Sequence, residues 1–410
     1  MIPQTADHAA DLTAPHQPEQ WSSRERNLAA LFTAILTRGP ISRRDAARVI
    51  GMSQAAVTKL VKPMIAGGYV TEQEGYSEGP GRPLIPLIID ARRHNAVGVK
   101  VTGGELIGVV VDLHAEVLQS RRAPLADARP QKVVESVAEL TRELLGSTAD
   151  GESGTVGVGV GLGGHVDGRR GVVRFSPMLE DWRDVPLQRM LADELHLPVL
   201  IENDVNTLAV AEQWFGAGRD TSSFAVVTVG AGVGGAIVID DQLLHGASGA
   251  AGEFGHNIVD PRGPLCHCGK RGCIEAFASD EAIVRAIGER RGRLPGSLAE
   301  AVQIAHGGDP VARQVFIEAG RALGQGLAGL VNLLNPPVVI LSGEGISASD
   351  LIIDALNEEL TRSSFSSAGR DCRLVVRPLP DETWARGAAA TMLRHGVLRS
   401  LMTLTGEIPV

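Results

Sequence analysis

Residues 225–240 read AVVTVGAGVGGAIVID, and this stretch decides the fold class. Ala225–Val229 is typical of a buried strand, Gly230–Gly235 of a glycine-rich turn, and Ala236–Ile239 of a second strand. VVILSGEGI at 338–346 repeats a strand followed by a glycine turn. Strands that end in glycines, with helices between them, predict an α/β body whose ligands bind where the strands end. Taken singly, each glycine loop is also compatible with ordinary turn chemistry.

The first half of this body shows the same pattern. Val97–Val101 and Leu106–Val111 are predicted as paired strands, and 133–144 carries apolar residues at helical spacing. TVGVGVGLGG at 155–164 alternates valine with glycine, as a buried strand does where another backbone approaches closely. A short strand at Pro198–Ile201 completes the set.

The length of 410 residues predicts two or three domains. We predict a mobile, polar tail at 1–20, a head at 21–90, a first lobe at 95–203 and a second lobe at 204–383, with a helix at 384–400 that completes the first lobe. The sequence has no run of 18 apolar residues and no signal-like start. We therefore expect a cytoplasmic protein with no membrane partner.

Three helices are predicted in the head. The first has apolar residues at helical spacing: Leu28, Leu31, Phe32, Ile35 and Leu36. Ser42 and Asp45 predict the cap of a second helix, with an inward face of Ala46, Ala47, Val49 and Ile50. Ser53 is predicted to cap the third, with an inward face of Val57, Leu60, Val61, Met64 and Ile65. Pro63 within it predicts a kink or break near Lys62.

This order of helices, followed by two strands around a glycine-rich turn, predicts a winged helix-turn-helix. The third helix would enter the major groove, where the Gln54 amide suits adenine and the lysines suit phosphates. Arg82, near the wing tip, is placed to reach a minor groove or a phosphate. The predicted DNA contacts are Arg43, Ser53, Gln54, Ala55, Thr58, Lys59, Lys62 and Arg82. A helical dimerisation or packing module with incidental basic residues is the alternative.

Charge is distributed unevenly along the chain. Residues 21–95 hold 11 Lys and Arg against 6 Asp and Glu, a net charge of +5, whereas the remainder holds 28 against 42, within an overall charge of -9. A basic head before an acidic body predicts that only the head meets a polyanion such as double-stranded DNA. Chance variation in charge is the alternative.

Three of the four cysteines lie within eight positions, in CHCGKRGCIE at 266–275, shortly after GEFGH at 252–256. One imidazole and three thiolates are the donor set of a closed, tetrahedral, structural Zn²⁺ site. The predicted ligands are His256, Cys266, Cys268 and Cys273. His267 is a competing ligand, although the cysteines on both sides direct it elsewhere, and a cluster of reduced, buried cysteines is the alternative. Cys372 is expected to be an ordinary buried residue.

Polar residues follow the strand at 198–201. Asp204 begins a predicted helix, and its carboxylate can accept hydrogen bonds from a polyol or act as a base toward a hydroxyl. Asn203 can both donate and accept. A capping role for Asp204 is the alternative. A zinc ion would fix the segments of Glu253 and Glu275 relative to each other, so that both carboxylates could line a cleft near Asp204.

These motifs resemble the ROK family, which contains sugar kinases and repressors of the NagC/Mlc type. The resemblance rests on ENDVN at 202–206, GEFGH and CHCGKRGCIE, and runs from about Asn95 to Gly387–Ala389. It implies a two-lobed, actin-like ATPase fold and zinc at the four ligands named above. It also implies sugar contacts by Asn203, Asp204, Glu253, His256 and Glu275. In kinase members, the residue that matches Asp204 is the catalytic base.

The chain differs from the kinase members of the family in the two glycine loops that are expected to bind phosphate. Those members carry an Asp-x-Gly-Gly-Thr loop, whereas Lys100–Gly104 has Lys at the Asp position and Gly at the Thr position. In the second loop, Gly230–Gly232, alanine stands where kinases carry threonine. Phosphoryl transfer depends on positioning and charge stabilisation, so we expect kinase activity to be lost.

The sequence therefore predicts a sugar-responsive transcriptional regulator, a repressor of carbohydrate genes that is not an enzyme. A homodimer or a dimer of dimers is expected because two heads read two half-sites, and the sugar would change lobe closure and head spacing. The first alternative is an active ATP-dependent sugar kinase with an added DNA-binding head. The second is a zinc-dependent hydrolase, which needs an exchangeable metal position that one histidine and three cysteines do not leave.

Overall fold

The computed structural model of the chain describes residues 22–75, 83–146, 154–177 and 179–404. The predicted tail at 1–20, most of the predicted wing turn and Arg82 lie outside the described residues. The chain divides into two units. The first contains the described residues up to Ala211 and from Asp381 onward, and the second is Glu212–Pro380. None of the described helices is long and apolar enough to cross a membrane.

The head of the first unit consists of three helices and a three-stranded sheet. Its elements are α1 (Ser23–Arg38), β1 (Ile41–Ser42), α2 (Arg43–Val49), α3 (Gln54–Ala66), β2 (Val70–Glu72) and β3 (Pro86–Ile89). Strand β3 lies between β1 and β2 and is antiparallel to both. The two wing strands expected from the sequence are present, and β1 adds a third strand that the sequence analysis missed.

The core of the head follows the helical periodicity. All five apolar residues predicted for α1 are buried, and Ser42 caps α2 by accepting from the Asp45 N–H at 3.1 Å. The predictions for Val49 and Ile65 are wrong, because these residues are 39% and 37% exposed. Both lie in the last turn of their helices, on a side that the rest of the head leaves uncovered.

Helix α3 continues through Pro63 to Ala66, so the predicted break near Lys62 is wrong. A proline removes one helical hydrogen bond. Val61 and Met64, on either side of Pro63, are both completely buried and anchor the two halves of the helix to the same core. The packing of α3 therefore outweighs the local cost of the proline.

The rest of the first unit is built on a five-stranded sheet with the order β11-β7-β4-β5-β6. Strands β4, β7 and β11 are parallel, whereas β4, β5 and β6 are antiparallel neighbours. A small antiparallel sheet has the order β10-β9-β8, and its strands come between β7 and β11 in the sequence. The elements are β4 (His94–Val101), β5 (Glu105–Asp112), β6 (Val117–Pro124), α4 (Pro130–Gly146), β7 (Gly154–Leu162), β8 (His165–Asp167), β9 (Val172–Phe175), β10 (Arg183–Val185), α5 (Leu187–Leu195), β11 (Val199–Asn203), the start of α6 (Asp204–Phe215) and α13 (Glu382–Leu404).

The alternation of valine and glycine in β7 has a structural cause. Val158 and Val160 enter the main core of this unit, on one face of the sheet. On the other face, an added Cβ at Gly159 would lie 2.0 Å from the carbonyl oxygen of Ala388 on α13. The close backbone approach expected from the sequence is therefore confirmed, and α13 is the element that makes it.

The second unit contains a sheet with the order β14-β13-β12-β15-β16. Both large sheets have an antiparallel meander of three strands followed by two parallel strands, which is the duplicated topology expected of an actin-like fold. The unit's elements are β12 (Phe224–Val229), β13 (Val233–Ile239), β14 (Gln242–Leu243), a 3-10 turn (Phe254–His256), α7 (Glu275–Ala278), α8 (Asp280–Arg291), α9 (Leu298–His306), α10 (Pro310–Leu334), β15 (Val338–Ser342), a 3-10 turn (Glu344–Ala348), α11 (Ser349–Ser363), α12 (Ala368–Asp371) and β16 (Arg373–Val376). Its core is formed by the sheet and by α8, α9, α10 and α11.

Candidate metal centre and ligand-binding residues

One histidine and three cysteines of the second unit form a compact cluster. Ligand atoms of His256, Cys266, Cys268 and Cys273 all lie within 4.8 Å of one another. Cys266 Sγ lies 3.6 Å from His256 Nδ1, and the sulfurs of Cys268 and Cys273 lie 3.7 Å apart. A tetrahedral zinc ion with Zn–S bonds of about 2.3 Å and Zn–N bonds of about 2.0 Å separates its ligand atoms by about 3.5–3.8 Å. The cluster therefore has the dimensions and the donor chemistry to hold a zinc ion.

The three thiols of the cluster differ in proton affinity. Burial raises the pKa of Cys266 to about 12 and also raises the pKa of Cys273. Burial acts in the same direction on Cys268, but hydrogen bonds from the Lys270 backbone and from the other two thiols outweigh it and lower the Cys268 pKa. Cys268 is therefore the thiol of the three that loses its proton most readily, and binding of a metal ion would release the protons that the thiols still carry.

Glycines bring the ligand loops close to neighbouring backbone. At Gly252, φ is +88°, and an added Cβ would lie 2.3 Å from the carbonyl oxygen of Gly235. At Gly272, φ is +74°, and an added Cβ would lie 1.5 Å from the carbonyl oxygen of Asp260. Only glycine satisfies both restraints. These contacts fix the segments that carry the histidine and the last cysteine of the cluster.

Glu275 connects the metal cluster to the second glycine loop. One carboxylate oxygen, Oε1, lies 2.9 Å from His267 Nδ1 and accepts from Cys266 Sγ at 3.6 Å. The other, Oε2, accepts from the Val233 N–H at 3.0 Å. The side chain is 9% exposed. The structure thus gives this predicted sugar contact internal partners at both oxygens. It also places His267 beside the cluster, because ligand atoms of His256, His267 and Glu275 lie within 4.8 Å of one another, so His267 remains a competing ligand.

His256 has two different neighbours at its two ring nitrogens. Nδ1 faces the thiols, and Nε2 lies 4.0 Å from Glu253 Oε2. The Glu253 side chain is 45% exposed. A carboxylate at the second nitrogen of a metal-binding imidazole orients the ring. At 4.0 Å the Glu253 carboxylate lies beside the ring without a hydrogen bond to it, and Glu253 remains accessible to a ligand.

Asn203 and Asp204 lie where β11 ends and α6 begins, in the first unit. Asn203 Oδ1 accepts from the N–H groups of Val205 and Asn206 at 2.9 and 3.3 Å, and its Nδ2 donates to the Gly164 carbonyl at 3.0 Å. Asn203 is therefore the residue that caps α6. Asp204 is half-buried, and its Oδ1 also accepts from the Val205 N–H at 2.9 Å.

Glu202 was missed as a member of this region. It is 6% exposed, and its Oε1 accepts from the Asn203 N–H at 2.8 Å and from Asn206 Nδ2 at 2.9 Å. These bonds fix the turn that presents Asp204. The sequence signal that could have identified Glu202 was its position next to Asn203.

Helix α3 presents the predicted DNA-reading face to solvent. Ser53 caps the helix by accepting from the Ala56 N–H at 3.2 Å. The exposed predicted contacts are Ser53, Gln54, Ala55, Lys59 and Lys62. Thr58 is half-buried and donates its hydroxyl to the Gln54 carbonyl at 2.9 Å.

Arg43 is placed differently from the residues of α3. It is the first residue of α2, and its guanidinium forms an ion pair with Glu72 on the wing strand β2. The pair connects α2 to the wing. Arg82 lies outside the described residues.

Two residues of the first glycine loop, Lys100–Gly104, make contacts that were not predicted from the sequence. Lys100 is 5% exposed, and its Nζ lies 4.3 Å from the centre of the Trp384 ring on α13, a cation–π distance. The Thr102 hydroxyl donates to the Glu105 carbonyl at 2.9 Å and accepts from the Glu105 N–H at 3.0 Å. The Thr102 side chain therefore closes the turn in which it lies.

The second glycine loop lies beside two carboxyl groups. An added Cβ at Gly230 would lie 2.5 Å from Glu344 Oε2, and one at Gly345 would lie 2.9 Å from Asp280 Oδ1. Burial, and then the Glu344 charge, raise the pKa of Asp280 to about 6. Two acidic side chains thus lie at the glycine turns that follow β12 and β15.

A sequence profile described as the ROK family matches residues 96–395. The chain belongs to the ROK family. Among curated ROK relatives, the putative xylose repressor of Caldicellulosiruptor sp. strain Rt8B.4 is 29% identical over 384 residues, which cover 90% of this chain and 96% of the relative. The glucokinase of Thermotoga maritima is 33% identical over 308 residues, which cover 72% of this chain and 96% of the relative.

Among solved structures, a ROK family transcriptional regulator described as a homologue of the Escherichia coli MLC protein has a TM-score of 0.80 and 26% identity. The match covers 93% of this chain and 99% of that chain. The two regulators thus match nearly the whole chain, at 90% and 93% of its length. The glucokinase matches 72%, which is close to the share of the chain that remains when the tail and the head are left out.

Proposed function

We propose that this ROK protein is a cytoplasmic, sugar-responsive DNA-binding repressor of genes for carbohydrate uptake or metabolism. The observation that carries the proposal is the winged head. It adds an exposed, N-capped helix with two exposed lysines to a body that sugar kinases also have. The 72% coverage by the glucokinase against 90% by the xylose repressor supports the same interpretation.

The DNA contacts in this proposal lie mainly on α3. Gln54 and Ala55, in its first turn, would meet base edges, and Lys59 and Lys62 would meet phosphates. Arg43, Thr58 and Arg82 remain proposed contacts, together with Ser53, whose main role is the cap.

The sugar contacts in this proposal are five residues with complementary hydrogen-bonding groups: Asn203, Asp204, Glu253, His256 and Glu275. Carboxylates accept from sugar hydroxyls, an amide can both donate and accept, and an imidazole that binds a metal ion through Nδ1 can donate from Nε2. A sugar changes DNA affinity only if it binds the DNA-bound and the free arrangement with different affinity. Binding of sugar and of DNA should therefore be reciprocally coupled.

Fluorescence anisotropy tests the proposal with a labelled duplex from upstream of the gene and a random duplex of equal length. We expect preference for the upstream duplex, steep salt dependence, and a change in affinity with one of D-xylose, D-glucose, N-acetylglucosamine or their phosphates. Lys59→Ala should lower the salt slope by about 1 and leave the sugar dose-response unchanged. Asp204→Asn should weaken the sugar response and spare DNA binding. Equal affinity for both duplexes would refute the proposal.

The proposal includes the loss of kinase activity. Lys100 stands where kinase members carry an acidic group, and its contact with Trp384 directs it to α13. Asp280 and Glu344 place carboxyl groups beside the second glycine loop. Carboxylates repel nucleotide phosphates unless a metal ion lies between them, as it does in phosphoryl transfer. The proposed loss of kinase activity therefore depends on the first loop and on the alanine of Gly230–Gly232, which lacks the hydroxyl of the kinase threonine.

An ATP-dependent sugar kinase with a DNA-binding head is the second candidate, favoured by the 33% identity to a glucokinase. A coupled ATP-consumption assay over a panel of hexoses, pentoses and amino sugars separates the candidates. Turnover that Asp204→Asn abolishes would establish the kinase. Absence of turnover with every sugar that alters DNA binding would support the repressor.

The metal cluster is proposed as a structural zinc site, with His256, Cys266, Cys268 and Cys273 as the ligands. Four protein ligands leave no position for a reactive water, so the ion would stabilise the loop and take no part in chemistry. A homodimer is also proposed, because a pair of winged heads reads two half-sites.

A further inference from the structure

A row of three side chains crosses the small sheet β10-β9-β8 of the first unit. Phe175 on β9 pairs with His165 on β8 and with Arg183 on β10. Residues that lie directly opposite each other in an antiparallel sheet direct their side chains to the same face. We name His165, Phe175 and Arg183 the β9 row. The row places an imidazole, a phenyl ring and a guanidinium side by side.

The β9 row borders the glycine turn between β7 and β8. The Ser176 hydroxyl donates to the Gly163 carbonyl at 2.8 Å, and an added Cβ at Gly164 would lie 2.5 Å from the Phe175 carbonyl oxygen. The Gly164 carbonyl also accepts from Asn203 Nδ2 at 3.0 Å. Phe175 and Asn203 therefore pack against the same glycine turn.

The space beside the Asp204 carboxylate is open on the side of this turn. An added Cβ at Gly163 would have a single neighbour within 4 Å among the described residues, Asp204 Oδ2 at 3.7 Å. Asp204 and Asn203 are both proposed sugar contacts. A sugar held by these two residues would therefore lie next to the β9 row.

The phenyl ring of Phe175 holds the Arg183 guanidinium. Phe175 is 40% exposed, and the central carbon of the guanidinium, Cζ, lies 5.0 Å from the centre of its ring. At this distance a cation is attracted to the ring face. Neighbouring strands are about 4.8 Å apart, so a guanidinium over β9 lies about one strand spacing from β8 and from the glycine turn.

Arg183 differs from the neighbouring arginines in its lack of a carboxylate partner. Arg174 pairs with Asp167 at 3.4 Å and with Asp184 at 2.7 Å, and Arg170 lies 3.8 Å from Asp167. Among the described residues, no ion pair and no side-chain hydrogen bond includes Arg183. A guanidinium has five N–H donors and no acceptor, and its planar shape matches phosphate and carboxylate groups. These donors are available to a ligand.

We infer that the β9 row extends the proposed sugar site and that Arg183 binds an anionic group, a phosphate or a carboxylate, that the sugar carries. The inference rests on the proposed function and deepens it, because it assigns the effector to the class of phosphorylated or acidic sugars. The proposed contacts at Asn203 and Asp204 would bind ring hydroxyls, and the guanidinium would form charge-assisted hydrogen bonds with the charged substituent.

Isothermal titration calorimetry of the full chain tests the inference. The ligands are D-xylose, D-glucose and N-acetylglucosamine, the 5- or 6-phosphate of each, and D-glucuronate. We expect at least one anionic sugar to bind at least tenfold more tightly than its neutral parent. A phosphate or D-glucuronate as the tighter ligand identifies the anion as phosphate or carboxylate.

Two variants assign the effect to the β9 row. Arg183→Gln should remove the preference for the anionic sugar and leave the affinity for the neutral parent unchanged, which also shows that the variant is folded. Arg189→Gln is the matched control, since Arg189 is exposed on α5 in the same unit and lies outside the β9 row. It should keep the preference.

The inference is overturned if no anionic sugar binds more tightly than its parent, or if Arg183→Gln keeps the preference. An equal loss in Arg189→Gln, or inorganic phosphate that binds as tightly as the sugar phosphate, would also overturn it. Failure of the proposed function would appear separately, as binding of an anionic sugar that Arg183→Gln weakens in a protein without DNA preference.

Discussion

Replacement of Cys268 by serine tests the metal cluster most directly. The Cys268 sulfur lies 3.7 Å from Cys273 Sγ and belongs to the set whose ligand atoms lie within 4.8 Å of one another. Its lowered pKa makes it the thiol of the three that loses its proton most readily. A serine hydroxyl is not ionised at neutral pH, so Cys268→Ser removes one negative ligand and leaves two thiols and an imidazole.

The expected loss of stability follows from the linkage between binding and folding. An ion present at about 1,000 times its dissociation constant stabilises the folded form by about 4 kcal/mol. If the substitution raises the dissociation constant by that factor, the stabilisation disappears. For a unit of about 150–250 residues, each kcal/mol shifts Tm by about 2–4 °C, so we expect Tm to fall by roughly 8–16 °C.

Metal analysis of the purified protein and calorimetry are the assays. We expect one zinc ion per wild-type chain and a strongly reduced content in Cys268→Ser, with a matching fall in Tm. Cys372→Ala is the control, because Cys372 is buried in the apolar core of the same unit and lies outside the cluster. It should lower Tm modestly and keep its zinc. Undiminished zinc in Cys268→Ser would refute the assignment of the ligands.

Three further predictions concern single contacts. Glu275→Gln weakens the interaction with His267 and Cys266 and should reduce zinc affinity by about 10- to 100-fold in a competitive chelator titration, and unchanged affinity would contradict this role. Ser53→Ala removes the cap of α3 and should destabilise the head by about 1 kcal/mol in denaturant unfolding while sugar binding stays unchanged; equal stability would contradict the capping role. Because the pKa of Asp280 is raised to about 6, its ionisation destabilises the folded protein as pH rises from about 4 to above 6. Asp280→Asn should therefore raise Tm at pH 7.5 and have little effect near pH 4, and a pH-independent difference would contradict the prediction.

Local sequence was sufficient to predict the three helices of the head and two of their caps. Helical periodicity identified the buried face of α1, and Ser42 and Ser53 cap the next two helices as predicted. Capping and amphipathicity act between residues that are three or four positions apart, so a single segment carries the whole signal. The metal donor set was also visible, because three of its four ligands lie within eight positions.

The ends of the short helices were less predictable from sequence. Val49 and Ile65 have the right periodicity for burial, yet both are exposed. Periodicity gives the direction of a side chain around the helix axis and does not say which part of that side the rest of the fold covers. Similarly, Pro63 has a local cost that only the burial of Val61 and Met64 overcomes.

The sequence by itself determined which residue types were present for binding: three thiols and an imidazole, a polar pair after a strand, and a basic helix in the head. Tertiary structure alone decided their partners. Lys100 lies over Trp384, Glu275 joins the metal cluster to Val233, and Asn203 rather than Asp204 makes most of the capping bonds of α6. The first two pairings link residues far apart in the chain, and the third depends on side-chain orientation. Such contacts follow from packing, which no periodicity or motif spacing records.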